Sequence, residues 1–280
     1  MAYEHAGIHI KDGKETLVDA RVAKRMRALG LQSAQEYLDL LLNDSTGEEL
    51  VQFLDAISTN FTSFFREREH FDVMATLLKD WAAAGQRKFR IWSAASSSGE
   101  EPYSIAITAR EALPAYADIK ILATDISTHV LAHATKGVYD AARLEPLTGG
   151  QRSRYFIKLE DKQAKSIEYE ARAELKSLLV FKRLNLSATK MPMNGPLDII
   201  FVRNVMMYFD NAVRTSLIQE VERLLRPGGL LLIGHAESLG GIRNGLEPVR
   251  PSIFRKPVPG VPLTRSHFPS ASLRPAAGTS

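Results

Sequence analysis

Two carboxylates, Glu100 and Glu101, stand side by side directly after a run of small residues at 93–99. A third, Asp125, follows 26 positions after Gly99. Acids beside a turn of small residues would repel a phosphate and attract a cation or a ligand rich in hydroxyls. Further along, Asn185-Leu186 and Arg203-Asn204 each follow an apolar run, and Tyr208 comes soon after the second. Upstream, Asn60, Thr62 and Arg66 lie among Phe61, Phe64 and Phe65 with no clear period. Read blandly, Thr62 caps a helix and Arg66 makes a surface ion pair. Read functionally, this stretch is a linker folded over a ligand. The residues alone leave both readings open.

These groups need elements that bring them to one edge. Residues 89–94 read as a strand, and a helix opens at 100 with Pro102 in its first turn, where an N–H has no partner to lose. Strand, tight turn and helix together form the ligand corner of a doubly wound α/β sheet. With acids at that corner, S-adenosylmethionine (a sulfonium, an ammonium and a ribose) fits better than a dinucleotide. A second strand at 119–124 ends on Asp125, where an acid is placed to bond ribose hydroxyls; the rival role for Asp125 is a helix cap. A third strand is expected at 178–184, and a fourth at 197–202 is apolar throughout, as a strand covered on both faces should be. Arg226-Pro227-Gly228-Gly229 reads as a sharp turn before a fifth strand at 230–234, and Phe254-Arg255 as a last strand. The alternation breaks at 137–177, where short strands at 152–159 and 166–169 suggest a small inserted β-subdomain, placed at about 150–183.

The first 75 residues show no strand signal. Helices are expected at 14–29, from Ser33, and at 47–58. The first carries Val18, Val22, Met26 and Leu29 on one face and Arg21, Lys24, Arg25 and Arg27 over much of the other. That basic face is either solvated surface or a dock for an acidic partner. No aromatic interleaves it, which argues against single-stranded nucleic acid. The chain has 280 residues, 45% hydrophobic and 24% charged, with a formal net charge of +4, in the range of a globular protein. With no cysteine, disulfides and thiolate metal sites are excluded. The seven histidines show no HExxH pattern, and no metal is expected. No apolar run reaches the roughly 18 residues of a membrane span, and no signal-peptide layout is evident, so a cytoplasmic enzyme is expected. Residues 257–280, rich in Pro, Ser, Gly and basic residues, read as a disordered tail.

The stretches NFTSFFRE, RIWSAASSSGEEPYSIA, ATDIS, DIIFVRNVMMYFD and LLRPGGLLLIGHAESL, in this order, resemble the chemotaxis receptor methyltransferases of the CheR family. The resemblance covers roughly residues 10–255. It implies an all-helical N-terminal domain at 1–75 with its linker, and a doubly wound methyltransferase domain at 76–256 carrying the β-subdomain. The implied reaction is methyl transfer from S-adenosylmethionine to glutamate side chains in the cytoplasmic domains of membrane chemoreceptors, leaving S-adenosylhomocysteine. The alternative is the same fold acting on another protein or a small acid. By the same resemblance Asn60, Thr62, Arg66, Glu101, Asp125, Asn185, Leu186, Arg203 and Asn204 contact the cofactor. Arg66 and Tyr208 stand by the transferred methyl. Receptor methylation helices being acidic, the charges of Arg21, Lys24, Arg25 and Arg27 make them the expected receptor dock. The enzyme would be cytoplasmic and recruited to receptor arrays, without nucleic acid or membrane insertion. Many members carry Cys where this chain has Ser96 and Val202; neither position needs a thiol for the chemistry.

Overall fold

The computed structural model describes residues 15–44, 48–57, 62–159 and 167–260. Three helices come first: α1 (Glu15–Leu29), α2 (Ala34–Leu42) and α3 (Glu48–Ile57). Gly30 at φ 72° ends α1, its N–H on Arg27 O while the Leu31 N–H reaches Met26 O, the pattern of a glycine-terminated helix. Ser33 and Glu36 close α2 with reciprocal side-chain and backbone bonds. Tyr37, Leu41 and Phe53 form a small core against Val22 and Met26. Leu29, expected on that apolar face, is 38% exposed as the last residue of α1.

Helix α4 (Glu69–Ala83) buries Phe71, Met74, Leu77 and Leu78 at helical spacing. It packs on α5 (Glu100–Ala112), inside the core of the sheet layer. The helical N-terminal unit therefore ends before Glu69, short of the expected boundary at 75.

The main sheet has seven strands. In chain order they are β1 (Lys88–Ser93), β2 (Asp118–Asp125), β6 (Leu179–Arg183), β7 (Leu197–Val202), β8 (Leu225–Ile233), β9 (Glu247–Arg250) and β10 (Ile253–Arg255). In space the order is β6-β2-β1-β7-β8-β10-β9; the first five are parallel, and β10 runs antiparallel to both neighbours. Strand order reverses between β1 and β7, so the crevice beyond their carboxyl ends is the natural ligand site. The period of two supplies both faces with core. Phe89, Ile91, Ile199, Phe201, Leu230 and Leu232 meet α4 and α5 on one side. On the other, Trp92, Ile200, Val202, Leu231 and Ile233 meet α8 (Asn211–Leu224).

Two expectations need correction. The Arg-Pro-Gly-Gly stretch is not a turn before the fifth strand; β8 runs through it. The partner of Leu197 is Leu225 but that of Ile199 is Leu230, so the extra residues bulge out. Gly228 takes φ 78° there, its N–H on Lys256 O, while the Lys256 N–H reaches Gly229 O. The inserted sheet also starts earlier and ends earlier than 150–183. It consists of β3 (Val138–Asp140), β5 (Glu168–Ala171) and β4 (Phe156–Lys158), in that spatial order, and 179–183 belongs to the main sheet. Of the strand expected at 152–159, residues 152–155 belong instead to helix α7 (Gly149–Tyr155), capped by Thr148 and Gln151. Helix α6 (Thr128–Lys136), capped by Ser127, leads into it. Among the described residues no helix is long and apolar enough to cross a membrane.

At the amino edge, Asp198 on β7 is buried and accepts bonds from Gln86 Nε2 (2.7 Å), Arg90 N (2.7 Å) and Arg226 Nε (2.6 Å). Arg226 in turn lies 4.2 Å from the Trp81 ring centroid. Removing the acid strands a guanidinium and a backbone donor together. Asp198→Ala should cost about 3 kcal/mol in urea unfolding while leaving ligand affinity at the far edge unchanged; a loss near zero would show that water replaces these bonds.

Candidate active site

The carboxyl edge is built from the α5 corner outward. Gly99 precedes α5 at φ 102°, and a Cβ there would lie 2.5 Å from the Tyr139 hydroxyl and 2.9 Å from Ala134 Cβ. Only glycine fits this turn, which packs onto the inserted subdomain. The two acids behind it are not bare charges. Glu100 accepts from Ser98 Oγ (2.7 Å) and from the Arg143 guanidinium, which arrives after β3. Glu101 accepts from Ser93 Oγ (2.6 Å) and from Arg203 Nη1 (2.8 Å). Burial pushes the Glu101 carboxyl upward against the opposing pull of Arg203 and Ser93. The charge argument made on sequence is thus altered: each acid is matched by an arginine from a distant element.

Arg203, just past β7, ties the edge together. Its side chain is 1% exposed. Besides Glu101 it reaches Glu67 Oε2 from Nη2 (2.9 Å) and the backbone carbonyl of Arg66. Glu67 Oε1 takes the His235 N–H (3.2 Å) and Asn204 Nδ2 (3.4 Å). Burial alone would raise Glu67; Arg203 and the His235 N–H outweigh it and hold the acid below the usual range. Glu237 gathers the N–H groups of Gly234, Asn204 and Met206, each at 2.8 Å.

Backbone strain collects on the same rim. Phe65 (φ 52°), Glu67 (57°), Ser97 (46°) and Asn204 (57°) are all left-handed without being glycine. Each such residue costs about 1–3 kcal/mol and persists where surrounding bonds over-determine it. Phe65 is held by its N–H on Ser104 Oγ (2.9 Å) and by edge-on contact with Phe71. Phe64 points elsewhere, edge-on to Tyr139 and Phe156 of the insertion.

The structure brings most of the expected site residues to this edge. Arg66 and Thr62 lie half-buried on the strained segment. Asn60 falls outside the described residues. Asp125 ends β2 and accepts the N–H groups of Ser97 (2.8 Å) and Ser127 (3.0 Å), so it braces the corner turn. Asn185 accepts from the Ser187 N–H and hydroxyl. Leu186 is buried in the apolar layer with Trp92. Tyr208 is half-buried in the short turn Met206–Tyr208. On α1, Lys24 and Arg27 are exposed and Arg21 is half-buried. Arg25 is not a surface charge awaiting a partner: its fork closes on Glu49, which also accepts from the Tyr37 hydroxyl. Sequence reasoning gave no role to Glu67, His70 or Glu237. Their partners lie far along the chain, and only the acids flanking FFR and GHA hinted at them.

A parallel sheet extended by an antiparallel pair, with an acid-bearing corner at its switch point, defines an S-adenosylmethionine-dependent methyltransferase. Residues 60–253 match the family model of the CheR methyltransferase SAM binding domain, and residues 1–58 that of its all-alpha domain. The chemotaxis protein methyltransferase 2 of Pseudomonas aeruginosa is 41% identical over 237 residues, covering 84% of this chain and 83% of that protein. The chemotaxis protein methyltransferases of Escherichia coli (39% over 239 residues, 85% and 82%) and Salmonella typhimurium (38% over 243 residues, 86% and 82%) are comparably similar. The chain belongs to the CheR methyltransferase family, and its reaction is S-adenosylmethionine-dependent methylation in chemotaxis.

One group on the rim predicts a pH response. His70, on α4, is pushed down from 6.5 to about 3, first by burial and then by the Arg203 charge, against the pull of Glu67. Folded His70 stays neutral while the unfolded chain takes up a proton below about 6.5, so stability falls as pH drops from about 6.5 towards 3. In chelator-treated protein this residue should remove about 2 kcal/mol between pH 7 and 5. His70→Asn should flatten the dependence by close to one proton, measured by urea unfolding at both pH values. An unchanged slope would show that His70 is already charged in the folded state.

Proposed function

We propose that this enzyme methylates glutamate carboxylates in the cytoplasmic domains of membrane chemoreceptors, releasing S-adenosylhomocysteine and leaving glutamate methyl esters. The observation that carries the reading is the buried Arg203–Glu101 pair at the switch point, joined to the backbone of Arg66. An acid and a guanidinium side by side offer one partner to each end of an amino-acid zwitterion, which is the methionyl part of the methyl donor. Asp125, at the carboxyl end of β2 beside the corner turn, is the acceptor for the ribose hydroxyls. The donor set therefore fits S-adenosylmethionine, with Asn60, Thr62, Asn185, Leu186 and Asn204 completing the cradle. When bound, that cofactor supplies a methyl group on a positively charged sulfur.

The chain's own work is orientation. A glutamate is already ionised near pH 7, its reference pKa being about 4.3, so no strong base is needed. Arg66 holds the incoming carboxylate through its planar fork, and the Tyr208 hydroxyl aligns one carboxylate oxygen for in-line approach. Exposed Lys24 and Arg27 on α1 steer the enzyme onto acidic receptor helices. Recruitment to receptor arrays and residence in the cytoplasm follow from that substrate. Methylation of a different protein or a small acid is the rival reading.

Receptor-bearing membranes incubated with tritiated methyl donor should gain label that mild base releases, as esters do and N-methyl groups do not. Arg66→Ala and Tyr208→Phe should each cut turnover by about 100-fold with little change in donor affinity by calorimetry. Unaltered turnover in both would remove them from the mechanism. Lys24→Glu with Arg27→Glu should weaken methylation of receptor membranes several-fold, most at low salt, with donor affinity intact. Indifference to the reversal would make that helix face plain solvated surface.

A further inference from the structure

Methyl transfer leaves one buried group unexplained. The His70 side chain is completely buried, and its Nδ1 has no hydrogen-bond partner. The tautomer follows from the network on the other side of the ring. Ser252 Oγ donates to Pro251 O at 2.6 Å, which uses its proton. Ser252 therefore accepts at 2.8 Å from His70, and Nε2 carries the ring hydrogen. Nδ1 is left with a bare lone pair. It faces Glu67 Oε2 at 3.5 Å, another electron-rich atom, and the His235 ring stands edge-on with centroids 4.9 Å apart. The ligand atoms of Glu67, His70 and His235 all lie within 4.8 Å of one another. A buried lone pair set against a carboxylate oxygen is repulsive until a cation lies between them.

We propose that Glu67 Oε2, His70 Nδ1 and the His235 imidazole form a binding site for a divalent transition-metal ion of the zinc class, with a fourth position open to solvent. Two imidazoles and one carboxylate are a donor set that such ions favour. The bond from His70 Nε2 to Ser252 is the outer support that fixes a ligating imidazole's tautomer and ring orientation. Metal–nitrogen bonds of about 2.0–2.1 Å require the three donors to draw closer than they stand. His235 is exposed and can swing in, while buried His70 stays fixed. Arg203 on the same carboxylate opposes a dication. It is one guanidinium against three acids of one network, Glu67, Glu101 and Glu237, and of its two bonds to Glu67 Oε2 the longer, from Nε at 3.3 Å, gives way to the ion. His70 and His235 are 165 positions apart, which is why their spacing raised no expectation of a metal.

The test uses the full chain without a histidine tag. Cobalt(II) added to it should give visible ligand-field bands that saturate at one equivalent and disappear on adding zinc. By calorimetry, His235→Ala, a change at an exposed position, should weaken zinc binding at least about tenfold, and His70→Asn likewise. His129→Ala should leave it unchanged; that residue is exposed on α6, one turn before His133. Absence of one-equivalent binding, equal affinity in His235→Ala, or loss of binding in His129→Ala would each overturn the assignment. None of these readouts depends on methyl transfer, so the site stands or falls separately from the proposed reaction.

Discussion

A guanidinium that is 1% exposed cannot be left short of acceptors, and Arg203 is that guanidinium. Taking it from water costs several kcal/mol, which only a full set of bonds offsets. Its acceptors come from two places in the chain that are otherwise unrelated: the start of α5 at Glu101, and the segment before α4 at Arg66 and Glu67. Satisfying them draws residues 62–68 onto the carboxyl edge of the sheet. The strained dihedrals of Phe65 and Glu67 follow from that demand, since the chain must place a carbonyl and a carboxylate on one side within two residues. The two phenylalanines then secure the segment at both flanks, Phe64 in the insertion and Phe65 against α4.

The same device recurs around the molecule. Glu100 is matched by Arg143 from the insertion, Asp198 by Arg226 across the amino edge, and Glu49 by Arg25 within the helical unit. In each case the two partners lie on different elements. Such pairs are weak evidence of stability, because a well-packed apolar pair often does as well. Their directional geometry can instead fix how neighbouring elements register. Arg143 illustrates this: without it Glu100 would be an unpaired buried acid, so the insertion must sit where its arginine reaches the α5 corner.

The sequence showed most clearly what is local. The change from strand to small residues to helix at 89–103 located β1, the turn after it and the start of α5, and the apolar run at 197–202 is β7 to the residue. Asp125 was expected at the end of the second strand, and β2 ends on it. What was missed depends on distant partners. Arg-Pro-Gly-Gly carries the chemistry of a turn, yet Lys256 pairs with it and keeps it in the strand. Thr148 and Gln151 form a capping box, but two glycines between them masked the helix they start. A count of charges on α1 could not see that Glu49 claims Arg25. Glu67 and Glu237 stood in plain view beside recognisable motifs, but their bonding partners lie up to 168 positions away.

The pairing at the switch point also bears on how the proposed site can open. Glu101 and Arg203 are closed on each other, and in the proposed reading a donor zwitterion inserts between them. If Arg203 had only Glu101, opening would expose a buried charge at a cost of several kcal/mol. It keeps Glu67 and the Arg66 carbonyl, so turning Glu101 towards an ammonium gives up one group of bonds among three. Glu101 likewise keeps Ser93. Redundant partners make the pair separable, whereas a solitary buried pair would be locked. The acceptors that strain residues 65–67 are thus the ones that leave Glu101 available, and the cost of that backbone is tied to the use of the corner.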